Sequence, residues 1–62
     1  MNNDKLIATL TEIRRVAMEH PAFDAVIFED RDFTSLLEIG GDTFDWTYVA
    51  MEADDALKND EE

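Results

Sequence analysis

Phe44-Asp45-Trp46-Thr47-Tyr48-Val49-Ala50 is the stretch on which the fold turns. Three of the chain's six aromatic residues stand here at every second position. On a β-strand Phe44, Trp46 and Tyr48 share one face, with Asp45 and Thr47 on the other. Aromatic and β-branched side chains suit a pleated, half-buried surface, so the alternation predicts a strand to residue 51. A helical reading competes, because Trp46, Ala50, Ala53 and Leu57 recur at i, i+4, i+7 and i+11. Under the strand reading a helix begins only after residue 51, where Ala53, Ala56 and Leu57 allow a short one.

Just upstream, Gly40-Gly41 or Gly41-Asp42 supplies the positive φ that a tight turn requires. Phe33-Thr34-Ser35-Leu36-Leu37-Glu38-Ile39 then reads as the preceding strand. With Gly40-Gly41 as the loop, Leu37 faces Phe44, Ser35 faces Trp46 and Phe33 faces Tyr48. Glu29-Asp30-Arg31-Asp32 is a polar turn, and Phe23-Asp24-Ala25-Val26-Ile27-Phe28 before it is a first strand. Asp24 fits that strand poorly, since the same parity turns its carboxylate inward. At the N-terminus Leu6, Ile7, Leu10, Ile13, Val16 and Ala17 form the apolar stripe of an amphipathic helix over residues 4–19. Asn2 or Asn3 caps it, and Pro21 ends it. The fold class predicted is α+β: one helix laid across a three-stranded antiparallel meander, αβββ. A small helical bundle is the rival, with Asp32 capping a helix that ends at Gly40.

Sixty-two residues make one small domain, 1–62, with 58–62 a frayed acidic tail. A chain this short buries only about 60% of its unfolded surface. It has no cysteine to staple it, so dimerisation or a bound partner is the remaining aid to stability. A 45% hydrophobic content still argues for a folded core. With no long apolar run and no signal-peptide pattern, the expectation is a soluble, cytoplasmic protein that does not engage membranes.

Charge is the extreme feature: 16 acidic residues against 5 basic, a net −11. It is unevenly placed. Residues 1–18 set Asp4 and Glu12 against Lys5, Arg14 and Arg15, a net +1. Residues 19–62 set the other fourteen acids against Arg31 and Lys58, a net −12. This imbalance exceeds the magnitude of about 2–8 that solubility asks of a small domain, and the self-repulsion costs stability. It excludes direct nucleic-acid binding and favours a cationic partner.

No constellation names a reaction. His20 is the lone histidine and sits where a cation caps a helix C-terminus. One histidine and no cysteine leave a transition metal without ligands. Asp30-Arg31-Asp32-Phe33-Thr34 starts like a calcium loop, but Ser35 stands where glycine is required and Gly41 where the bidentate glutamate belongs. Ser35 lacks a neighbouring base, and Gly40-Gly41 lacks the lysine and spacing of a phosphate loop. The expectation is a non-enzyme without cofactor.

Small size, strong acidity and absent cysteine give the chain a resemblance to small phage-encoded inhibitor proteins, including DNA mimics and some anti-CRISPR proteins. The resemblance implies carboxylates on a rigid scaffold that imitate duplex phosphates, in the host cytoplasm. A basic nucleic-acid-binding protein or complex is then the partner, since its cationic groove binds phosphates with counterion release. The partner-binding candidates are Glu29, Asp30, Asp32, Glu38, Asp42, Asp45, Glu52, Asp54 and Asp55. On the outer face of the meander, Ile27, Leu36 and Val49 form an apolar docking patch among them. The alternative is a structural or assembly module that forms a homodimer or hetero-complex.

Overall fold

The computed structural model describes residues 3–60 and is built from four helices, with no strand among those residues. They are α1 (Asn3–Glu19), α2 (Ala25–Asp30), α3 (Phe33–Ile39) and α4 (Gly41–Asp60). The αβββ meander is therefore overturned, and the helical bundle is the architecture found.

Thr47 shows why. Strand parity turns Thr47 outward and gathers Phe44, Trp46 and Tyr48 on one inner face. Instead Thr47 is 0% exposed while Tyr48 is 37% exposed. At 100° per residue, Phe44 and Tyr48 fall together as an i, i+4 pair and Trp46 falls on the far side. The Phe44 and Tyr48 rings stack 5.4 Å apart at 10°, while Trp46 stacks on His20 at the end of α1. The helical spacing Trp46, Ala50, Ala53, Leu57 is the one that buries: Ala50, Ala53 and Leu57 are all core.

The long pair α1 and α4 pack side by side as the body of the molecule. Small residues carry that contact. Ala17 of α1 and Ala50 of α4 are both wholly buried, which lets the two backbones approach closely. α1 ends at Glu19 as Pro21 dictates, whereas a cap at Asn2 lies outside the described residues and Asn3 is already helical. Its expected apolar stripe is only partly covered. Ala17 is buried and Leu10 half-buried, while Leu6, Ile7, Ile13 and Val16 stay exposed.

α2 and α3 pack on α4 and close the core with Ile27, Phe28, Leu36 and Met51. Asp24, awkward in a strand, is the N-cap of α2: its carboxylate accepts the Ile27 N–H at 3.0 Å. Asp32 caps α3 likewise, accepting the Ser35 N–H at 3.2 Å and the Ser35 hydroxyl at 2.8 Å. The expected polar turn 29–32 joins two helices rather than two strands, with Arg31 in the left-handed region at φ 54°. Gly40 and Gly41 do take positive φ, 63° and 60°, but they separate α3 from α4 instead of closing a hairpin. In the expected tail, Lys58, Asn59 and Asp60 continue α4, and Glu61 and Glu62 lie outside the described residues. None of the described helices is long and apolar enough to cross a membrane.

Candidate interaction surface

Where the few cations go decides which acids are left to act. Asp54, one of the sequence-predicted binding residues, lies in the packed interior at 6% exposure. Three basic residues converge on it. Arg14 of α1 approaches Oδ1 at 2.6 Å, and Arg31 between α2 and α3 reaches Oδ2 at 2.5 Å. Lys58, one turn on in α4, reaches the same Oδ2 at 3.1 Å. Burial pushes the Asp54 carboxyl up, and the hydrogen bonds from Lys58, Arg14 and Arg31 outweigh it and hold the group below the usual carboxylate range. Asp54 is thus a tie among three elements and presents no charge to a partner.

Arg31 is bound on several sides. Its guanidinium lies over the Phe28 ring, 4.5 Å from the centroid, and donates to the Phe28 carbonyl. It also reaches Asp55 at 3.2 Å. These ties hold a non-glycine residue in left-handed backbone. Arg15 pairs with Glu12 and Glu19 along α1, so four of the five basic residues are engaged within the chain.

The remaining predicted acids divide by position. Asp32 is used as a cap, and its bonds from Ser35 keep its carboxyl low. Glu29, Asp30, Glu38, Asp42, Asp45 and Glu52 are exposed and have no ion pair among the described residues. The apolar candidates separate. Ile27 and Leu36 are core residues, Leu36 wholly so, because both point into the α2–α3–α4 contact; Val49 alone is exposed. The outer sheet face that was to unite them does not exist.

A different apolar surface takes its place. Between α1 and α4 runs an open groove of about 270 Å³ lined by Leu10, Ile13, Tyr48, Val49, Glu52 and Ala53. Its wall is almost wholly apolar, with Glu52 the one charged lining residue. Tyr48 extends the surface further. Its ring packs 6.2 Å from Phe33 and stacks on Phe44, and Phe33 and Phe44 are themselves 6.1 Å apart. Phe33 and Tyr48 are both exposed, as are Leu37 and Ile39 of α3. Tyr48 therefore belongs both to the groove and to an aromatic cluster on α3. In the meander Phe33 and Tyr48 face each other beneath a helix whose apolar stripe includes Ile13, whereas here all three are exposed. For Tyr48 the signal is the helical period of α4, which puts Tyr48, Val49 and Glu52 on the side away from Thr47 and Ala50.

His20 follows the last residue of α1, and its N–H donates to the Ala17 carbonyl at 3.2 Å. Its ring lies flat on Trp46, centroids 4.1 Å apart and planes at 10°, and its Nδ1 accepts the Ala22 N–H at 3.0 Å. With Nδ1 as acceptor, the neutral ring carries its proton on Nε2. Both contacts brace the turn out of α1. Among the described residues no group of three or more His, Cys, Asp or Glu side chains is placed to hold a metal ion. Set against protein-family models, curated proteins and solved structures, the chain matches none of them.

Proposed function

We propose that this chain is a non-catalytic protein-interaction module that assembles with a protein partner through the uncovered face between α1 and α4. The observation that supports it is the apolar continuity from Leu10 and Ile13 through Val49 and Tyr48 to Phe33. A chain of this size has little apolar surface to spare, and leaving so much of it in contact with water works against its own stability. Burying that surface against a partner repays the loss, with Tyr48 and Phe33 the side chains best suited to carry binding energy. Purification of partners from extracts of the source cell, with wild type and with the double variant Ile13→Asp/Val49→Asp, tests the reading. A species retained by wild type and lost by a variant of unchanged helicity is the expected result. Identical retention by both overturns it.

The exposed acids favour a second reading, an inhibitor that occupies the basic nucleic-acid-binding surface of a target by charge mimicry. What favours it is that Asp42, Asp45 and Glu52 along α4 have no cation of their own. Competition separates the two. An inhibitor of this kind is displaced by duplex DNA even when it carries Ile13→Asp/Val49→Asp, whereas binding led by the apolar face is already lost in that variant.

A further inference from the structure

We infer that the groove between α1 and α4 is a seat for a cationic amphipathic helix of the partner, an inference that rests on the interaction-module reading. Its shape comes first. Two helices lying side by side leave a furrow whose ridges accept a third helix. α4 already carries α2 and α3 on the flank marked by Thr47 and Met51, and Val49 and Ala53 lie about half a turn around it. A helix laid there continues the same packing on the vacant side. At about 270 Å³ and open along its length, the groove falls below the range of about 300–1,000 Å³ usual for enclosed small-molecule sites. It fits a row of side chains entering at i, i+3, i+4 and i+7.

Charge selects the occupant. Glu52 lines the groove, and Asp45 stands one turn before Val49 on the same side of α4. Neither has a basic partner among the described residues. A helix with leucine-like residues on one face and lysine or arginine flanking them meets both features together. A second copy of this chain meets them less well: it brings a further net charge of −11, and of the three basic residues on its α1, Arg14 and Arg15 are already paired within their own chain.

Calorimetric titration with three 18-residue peptides tests the inference. All place leucine at helical i, i+3, i+4 spacing, with lysine, glutamine or glutamate at the other positions. In 0.15 M salt the lysine peptide is expected to bind about tenfold or more tightly than the glutamine peptide, and the glutamate peptide not at all. Ile13→Asn/Val49→Asn is expected to weaken the lysine peptide by about tenfold. Asp45→Asn/Glu52→Gln, at exposed positions with no ion pair among the described residues, is expected to bring it to the level of the glutamine peptide. Lysine-peptide binding that ignores Ile13→Asn/Val49→Asn is bulk attraction and overturns the inference, as does equal binding of the lysine and glutamine peptides. Sedimentation of the chain alone separates this failure from a deeper one. A dimer that Ile13→Asn/Val49→Asn dissociates keeps the module and makes the second copy its occupant. A monomer at all concentrations that binds no peptide and retains no partner from extracts overturns both.

Discussion

Arg14 Nη1 donates to Asp54 Oδ1 at 2.6 Å across forty residues of sequence, joining the second half of the first long helix to the second half of the last. Arg31 and Lys58 complete the cluster from the two remaining directions. One carboxylate thus engages three of the five cations and joins the first helix, the link between the two short ones, and the last.

Asp54→Asn is expected to destabilise the fold by about 2 kcal/mol, the cost of removing a charge that several charged donors share. In a domain of this size that lowers the melting temperature by roughly 8–16 °C. Arg14→Gln leaves Asp54 two cations and should cost less. Urea denaturation of both variants checks the order, and an Asp54→Asn cost below about 0.5 kcal/mol would reduce the cluster to a surface ion pair.

The same cluster fixes a pH dependence. Asp54 is held below its unfolded value, near 3.9, so its contribution is complete above that value and is lost as pH falls through the folded one. The stability gap between wild type and Asp54→Asn should stay constant from neutrality to about pH 5 and close below about pH 4. Denaturation curves at several pH values decide it. A gap that widens on acidification would contradict the lowered carboxyl.

Thr47→Val separates the helix from the strand by stability alone. The Thr47 hydroxyl accepts the Asp24 N–H at 2.9 Å, so valine fills the space but leaves a backbone donor unpaired. A loss of about 1–3 kcal/mol is expected. On a sheet Thr47 would face water, and valine would be neutral or favourable there.

How much of this was legible in the sequence depends on length of pattern. The helix ending before Pro21 could be read because its apolar period runs over four turns and is closed by a residue that cannot continue it. The stretch 44–50 could not, since three aromatics at every second position mimic a pleat, and only the longer run through Leu57 shows the 3.6 period. Asp24 and Asp32 carried a usable signal: each is an acid immediately before a short apolar run, the signature of an N-cap. The interaction surface was harder. The meander placed Ile27 and Leu36 outside and Tyr48 inside, and the helices reverse all three. Of the convergence on Asp54, only the i, i+4 pair with Lys58 leaves a local trace; Arg14 and Arg31 come from forty and twenty-three residues away.

Gly40 and Gly41 should differ in what they tolerate. Gly40 combines φ 63° with ψ −160°, a region open essentially to glycine alone, and a Cβ there meets only the Leu37 carbonyl oxygen at 3.9 Å. The cost of Gly40→Ala is therefore backbone strain, of order 1–3 kcal/mol. Gly41 at φ 60° has nothing within 4 Å of an added Cβ, so Gly41→Ala meets only the left-handed penalty of roughly 1–2 kcal/mol. Thermal melts of the two variants should rank Gly40→Ala as the less stable.

Salt should stabilise this protein. The chain carries net −11 within a longest dimension of 40 Å. At 0.01 M ionic strength the screening length is about 30 Å, so each unpaired carboxylate repels most of the others; at 0.15 M it is about 8 Å and only neighbours interact. Raising sodium chloride across that range should add about 1 kcal/mol, a rise in melting temperature of roughly 4–8 °C. The paired Asp54 contributes little to this slope, since Arg14, Arg31 and Lys58 lie against it. Converting Asp42, Asp45 and Glu52 to their amides should flatten it, because these exposed acids lie along one helix with no cation between them. A melting temperature that falls as salt is added would mean that surface ion pairs, rather than repulsion among unpaired acids, govern the electrostatics of the fold.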